Sequence, residues 1–131
     1  MNLSLKNKKN LEKKDINFLE LIPVKNIKWE KREGGLIVLL KPKFKNKFFV
    51  KYFLHKMKRP FFRIKLDEIG SYVWELCNEQ NTVFEIGEKL KERFGEKIEP
   101  VYERLSLFLK QLEKGECIKF KLKEDRERPA P

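Results

Sequence analysis

The chain is poor in the residues from which most catalytic and metal centres are built. Its 131 residues include one histidine, His55, and two cysteines, Cys77 and Cys117. The cysteines are isolated, with no C-x-x-C spacing, so a metal site and a disulfide scaffold both lack support. Both cysteines read as small packing residues, and a cytoplasmic location is the default. His55 has no candidate catalytic partner in sequence. G-x-S-x-G, P-loop and G-x-G-x-x-G motifs are missing. No cofactor is implied, and an enzyme is not expected. Long apolar runs are missing too: none approaches the roughly 18 residues a membrane span needs. Met1 to Lys14 is polar and Lys-rich without an apolar core, unlike a signal peptide. No internal repeat is visible.

Acidic residues are absent from one block in particular. From Lys41 to Lys65 there are ten Lys or Arg and no Asp or Glu. The whole chain has 31 basic and 20 acidic residues, a formal charge of +11. Outside the block, 21 basic residues face 20 acidic ones. The protein is therefore nearly balanced apart from one basic insert, placed at 43–60. Hydrophobic residues make up 40% of the chain and include eleven Phe, enough to build a core. The length fits one domain.

The local patterns predict an ordered series of elements. Residues 1–22 read as a flexible lead-in ended by Pro23. Ile27, Trp29 and Lys31 alternate with Lys28, Glu30 and Arg32. Gly34-Gly35 can supply the positive φ angles of a turn, and Leu36 to Leu40 is an apolar run of strand formers closed by Pro42. This is a hairpin. Apolar residues between Asn46 and Lys58 suit a short amphipathic helix. Phe61 to Leu66 alternates, with Phe62, Ile64 and Leu66 on one face and Phe61, Arg63 and Lys65 on the other.

Beyond Leu66 the period becomes helical. Asp67 can cap a first helix, with Ile69, Val73, Leu76 and Cys77 on one face and Trp74 beside it. Thr82 to Glu85 fits a capping box, followed by a stripe of Ile86, Leu90 and Phe94 up to Gly95. Pro100 fits the first turn of a third helix, whose stripe is Val101, Leu105, Phe108 and Leu112. Ile118, Phe120 and Leu122 suggest a short closing strand, and 123–131 a charged tail. The expected fold is α+β and winged-helix-like: a small antiparallel sheet of three strands followed by three helices, spanning 23–122.

A winged helix with a basic excess invites a nucleic-acid reading. Pro100 to Lys114 argues against it, because Glu103, Arg104, Lys110, Glu113 and Lys114 leave that helix at only +1. Duplex binding requires several cations facing phosphates. The basic insert also fits a membrane-surface element, with Phe48, Phe49, Tyr52 and Phe53 at headgroup depth. Packing of those aromatics on the sheet is the simpler alternative.

Leu66-Asp67-Glu68-Ile69-Gly70-Ser71-Tyr72-Val73-Trp74-Glu75-Leu76 resembles the central signature of the PqqD family. So do Thr82-Val83-Phe84-Glu85-Ile86, Leu90, Phe94-Gly95, Arg104-Leu105, Phe108-Leu109, Leu112 and Ile118. Pro23-Val24-Lys25-Asn26, Trp29 and Gly34-Gly35 are similar to the start of longer PqqD-like chains. The likeness spans roughly residues 23 to 120, and the insert departs from it. It implies a recognition element that holds the leader of a ribosomally made precursor peptide. Such an element presents the precursor to a modifying enzyme, often a radical S-adenosylmethionine enzyme. The leader adds as a strand beside the third strand and rests against the third helix.

On that basis the expected peptide-binding residues are Phe61, Arg63 and Lys65 on the strand and Arg104, Leu107 and Gln111 on the helix. An exposed strand edge offers unpaired backbone groups that an extended peptide completes. Arg63 and Lys65 can meet acidic side chains. Leu107 is either part of the groove wall or a lone exposed leucine. Asp67 and Trp74 read as a cap and a core anchor. An open edge and a mobile start also allow exchange between chains, and so a homodimer.

Overall fold

Local chemistry builds the first hairpin as expected. The computed structural model describes residues 17–43 and 61–126. Strand β2 (Lys28–Lys31) pairs antiparallel with β3 (Ile37–Pro42), and Trp29 lies opposite Leu39. A single 3-10 turn, Glu33–Gly35, joins them, with Gly34 and Gly35 at φ +80° and +81°. Only glycine takes such angles without steric penalty. Strand β3 then pairs antiparallel with β4 (Phe61–Lys65), closed at its far end by Pro42 opposite Phe61. The sheet order is β2-β3-β4, with β3 in the middle and an edge on each side. The helix expected within 46–58, and His55 with it, lies outside the described residues.

The helices follow their caps. Helix α1 (Glu68–Leu76) begins where the Asp67 carboxylate accepts the Gly70 amide at 2.7 Å. Helix α2 (Val83–Phe94) begins in a complete capping box. There the Thr82 hydroxyl accepts the Glu85 amide at 3.1 Å, and the Glu85 carboxylate accepts the Thr82 amide at 2.8 Å. Helix α3 (Val101–Lys114) follows a 3-10 turn at Gly95–Ile98. Pro100 sits at its N-cap, one position before the expected first turn.

The core lies where the helices meet the inner face of the sheet. Ile37, Leu39, Val73, Trp74, Val83, Ile86, Leu90 and Leu109 are all buried. On α3 the buried stripe is Val101, Leu105, Leu109 and Leu112. This corrects the expectation for Phe108, which is only half-buried while Leu109 takes the core position. Phe94 is likewise half-buried and meets Tyr72 edge-to-face, with ring centroids 5.8 Å apart. Ser71 joins sheet to helix by accepting the Ile37 amide at 2.9 Å.

A second, two-stranded sheet closes the domain. Strand β1 (Ile22–Lys25) pairs antiparallel with β5 (Ile118–Lys121). Residues 17–22, expected in a flexible lead-in, fold into this layer. Phe18 and Leu19 pack on the core, and Phe18 meets Phe120 edge-to-face at 5.3 Å. The start of the expected charged tail forms a short helix, α4 (Lys123–Arg126). Arg126 fastens it by donating to the Glu85 carboxylate at 2.9 Å and the Gln80 carbonyl at 3.0 Å.

Candidate functional site

The antiparallel register decides which backbone groups on β4 are free. In such a pair, hydrogen-bonded and non-bonded residues alternate along the strand. The Leu66 amide donates to the Ile37 carbonyl at 2.9 Å, and Ile64 and Phe62 stand two and four residues back in the same register. Phe62, Ile64 and Leu66 therefore turn their main-chain groups toward β3. Phe61, Arg63 and Lys65 turn theirs outward, and no described strand pairs with that side. A free ladder of this kind is a template for an added strand.

Beside the end of β4 lies a groove of about 360 Å³, walled by all three long helices. Helix α1 contributes Ile69, Gly70 and Val73, α2 contributes Leu90, and α3 contributes Arg104, Leu105 and Phe108. Lys65 and Leu66 line the sheet side, and Ile98 comes from the turn before α3. The lining is mostly apolar. Its charged members are two cations, Lys65 and Arg104, and Asp67, whose carboxylate is occupied as the α1 cap. Lys65 makes no ion pair with the described residues, so its ammonium is available to an incoming carboxylate. Arg104 is held in place, donating to the Lys97 carbonyl at 2.8 Å.

The six residues expected at the site divide. Lys65 and Arg104 come from distant segments and meet in one groove. Phe61 is half-buried at the base of the β3–β4 hairpin and offers its backbone edge. Arg63 offers its backbone too, but its guanidinium reaches across the outer face to Glu30 on β2 at 2.9 Å. That contact holds the Glu30 carboxyl below the usual range, first through the hydrogen bond and then through the charge. Leu107 is 62% exposed, and Gln111 is also exposed; neither lines the groove.

Sequence reasoning missed the groove's apolar floor, Ile69, Leu90, Ile98 and Phe108. The half-buried Phe108 had a visible signal: the stripe needs only one of Phe108 and Leu109, and the other must look elsewhere. Ile98 carried no such signal, since it lies in an irregular turn.

The cysteines take no part in the site. Both are free and buried, and burial pushes the Cys77 thiol up to about 12 and raises that of Cys117. Among the described residues no three of His, Cys, Asp and Glu converge as metal ligands, and no helix is long and apolar enough to cross a membrane.

The family model described as coenzyme PQQ synthesis protein D (PqqD) matches residues 63–118. The match opens within β4 and ends at the first residue of β5, so it contains most of the groove-bearing edge and all three long helices. No curated protein and no solved structure matches the chain. The segment that carries the groove is thereby assigned to the PqqD-like family.

Proposed function

We propose that this protein is a non-catalytic peptide-recognition module that binds the leader of a ribosomally made precursor. The leader adds as a strand along the outward groups of Phe61, Arg63 and Lys65. Its inward side chains enter the groove between β4 and α3. One observation carries this reading: a strand edge unpaired among the described residues leads to an apolar groove whose available charges are both positive. Main-chain pairing would supply affinity, and the groove would supply selectivity. The family description supports a place in coenzyme PQQ synthesis or a related peptide-modifying pathway. The partner in that role is a modifying enzyme, such as a radical S-adenosylmethionine enzyme, to which the leader-bound precursor is presented.

The test is titration of the full chain with a synthetic leader encoded by a short gene beside its own. Binding at micromolar concentration in low salt is expected. Reversing the charge of Lys65 or Arg104 should weaken it roughly tenfold, since each is a charge-assisted contact in a partly dry groove. Absence of binding under those conditions would overturn the proposal.

A further inference from the structure

Among the described residues the sheet has a second unpaired edge, and it is chemically unlike the first. Strand β2 is exposed at all four of its residues, including Trp29 at 39%. The Arg32 amide donates to the Leu36 carbonyl at 2.7 Å, so Glu30 and Lys28 turn their main-chain groups toward β3 by the same alternation. Trp29 and Lys31 turn theirs outward. We propose that this edge is a self-association surface, on which a second copy of the chain pairs β2 against β2 antiparallel about a two-fold axis at Trp29.

Charge selects both the partner and the register. With Trp29 opposite Trp29 of the second copy, Lys28 faces Glu30 and Glu30 faces Lys28, twice over by symmetry. Centring the pair on Lys31 would oppose two lysines, and centring it on Glu30 would oppose two carboxylates. Directly opposed unlike charges stabilise an antiparallel pair and like charges destabilise it. The Lys-Trp-Glu triplet is therefore complementary to itself in one register only.

The surroundings favour that register. Arg63 fixes the Glu30 carboxylate on the outer face, where Lys28 also stands. Lys28 makes no ion pair with the described residues. Pairing would create a charge row of Arg63, Glu30 and the second copy's Lys28. On the opposite face the Trp29 ring, with the Lys25 ammonium 5.1 Å from its centre, would gain a partner ring. The contact is isologous, so it closes at two copies. The leader edge on β4 stays free at both ends of the joined sheet, which makes this surface independent of the peptide reading.

Sedimentation of the full chain over a wide concentration range tests it. A reversible monomer–dimer equilibrium is expected. Lys28→Glu and Glu30→Lys should each raise the dimer dissociation constant roughly tenfold or more, and the double exchange should restore it. The two single variants reverse charge at different residues, so a folding failure in one leaves the other and the double variant to decide. A chain that stays monomeric at millimolar concentration would overturn the surface. So would a dimer indifferent to both substitutions. Repeating the leader titration on Lys28→Glu separates this result from the peptide site, because Lys28 neither lines the groove nor pairs with a β4 side chain among the described residues, whereas Glu30 holds Arg63.

Discussion

Gly87 shows how much one missing side chain can position. A Cβ built there falls 2.3 Å from Cε1 of Tyr102, so only glycine lets the Tyr102 ring lie across α2. From that seat Tyr102 stacks on Phe84 with planes 1° apart, and its hydroxyl donates to the Glu88 carboxylate. Gly87→Ala should expel the ring and cost about 1–3 kcal/mol, the usual range for overpacking, read by urea or thermal unfolding. Tyr102→Ala in the same chain should remove most of that penalty, because the two residues are in contact and their effects are not additive. If Gly87→Ala leaves stability unchanged, the packing account of this position is wrong. Lys65 and Arg104 are a different kind of residue: neither makes an ion pair with the described residues, and Arg104 uses one donor on the Lys97 carbonyl, which leaves their charges suited to a ligand.

At the level of elements, the α2 capping box is the joint between helix, turn and C-terminus. Glu85 accepts the Thr82 amide and the Arg126 guanidinium together, and its pKa is lowered, first by the Thr82 backbone hydrogen bond. A carboxyl depressed in the folded state stabilises fully above its unfolded pKa and loses that contribution as pH falls through the lowered folded value. Acid unfolding should therefore be less steep in Glu85→Gln, measured as stability against pH below the ordinary glutamate range of about 4.5. Thr82→Ala should cost about 1 kcal/mol, the typical loss of an N-cap hydroxyl. An acid profile unaltered by Glu85→Gln would show that the box contributes nothing at low pH.

The elements also show why some features were legible and others were not. The Gly34-Gly35 turn, the Asp67 cap and the Thr82–Glu85 box depend on residues within a few positions, so sequence displays them directly. The β1–β5 pairing joins Ile22 to Lys121, and no local signal in Pro23 or Val24 specifies that partner. The site divides in the same way. The edge of β4 was readable from alternation at Phe61 to Leu66. The groove was not, because Ile69, Leu90 and Phe108 meet only through helix packing. Alternation fixed the face on which Arg63 stands without revealing that Glu30 waits on it two strands away.

For the whole molecule, charge placement matters more than the sum. The chain carries +11, but the α3 helix facing the groove is close to neutral, and the groove's own available cations are Lys65 and Arg104. Exposed charges act chiefly on encounter and are screened beyond about 10 Å at 0.1 M salt. Leader association should therefore slow with added salt while dissociation changes little, as stopped-flow mixing can measure. A Lys65→Gln, Arg104→Gln chain should show a shallower salt slope. Equal slopes in both chains would locate the steering charge outside the groove.

The order β2-β3-β4 has one further consequence, for solubility. A sheet with two bare edges can in principle stack head to tail, β2 of one molecule on β4 of the next, and such a contact never closes; it grows into a filament. Here the described edge of β4 carries two cations, Arg63 and Lys65, and that of β2 carries Lys28 and Lys31 on either side of Glu30. Head-to-tail growth brings Lys28 and Lys31 of one molecule against Arg63 and Lys65 of the next, a repulsion that an acidic peptide does not meet. The lysines that attract the proposed ligand thus also act as a guard against polymerisation, and neutralising them should be visible as concentration-dependent light scattering.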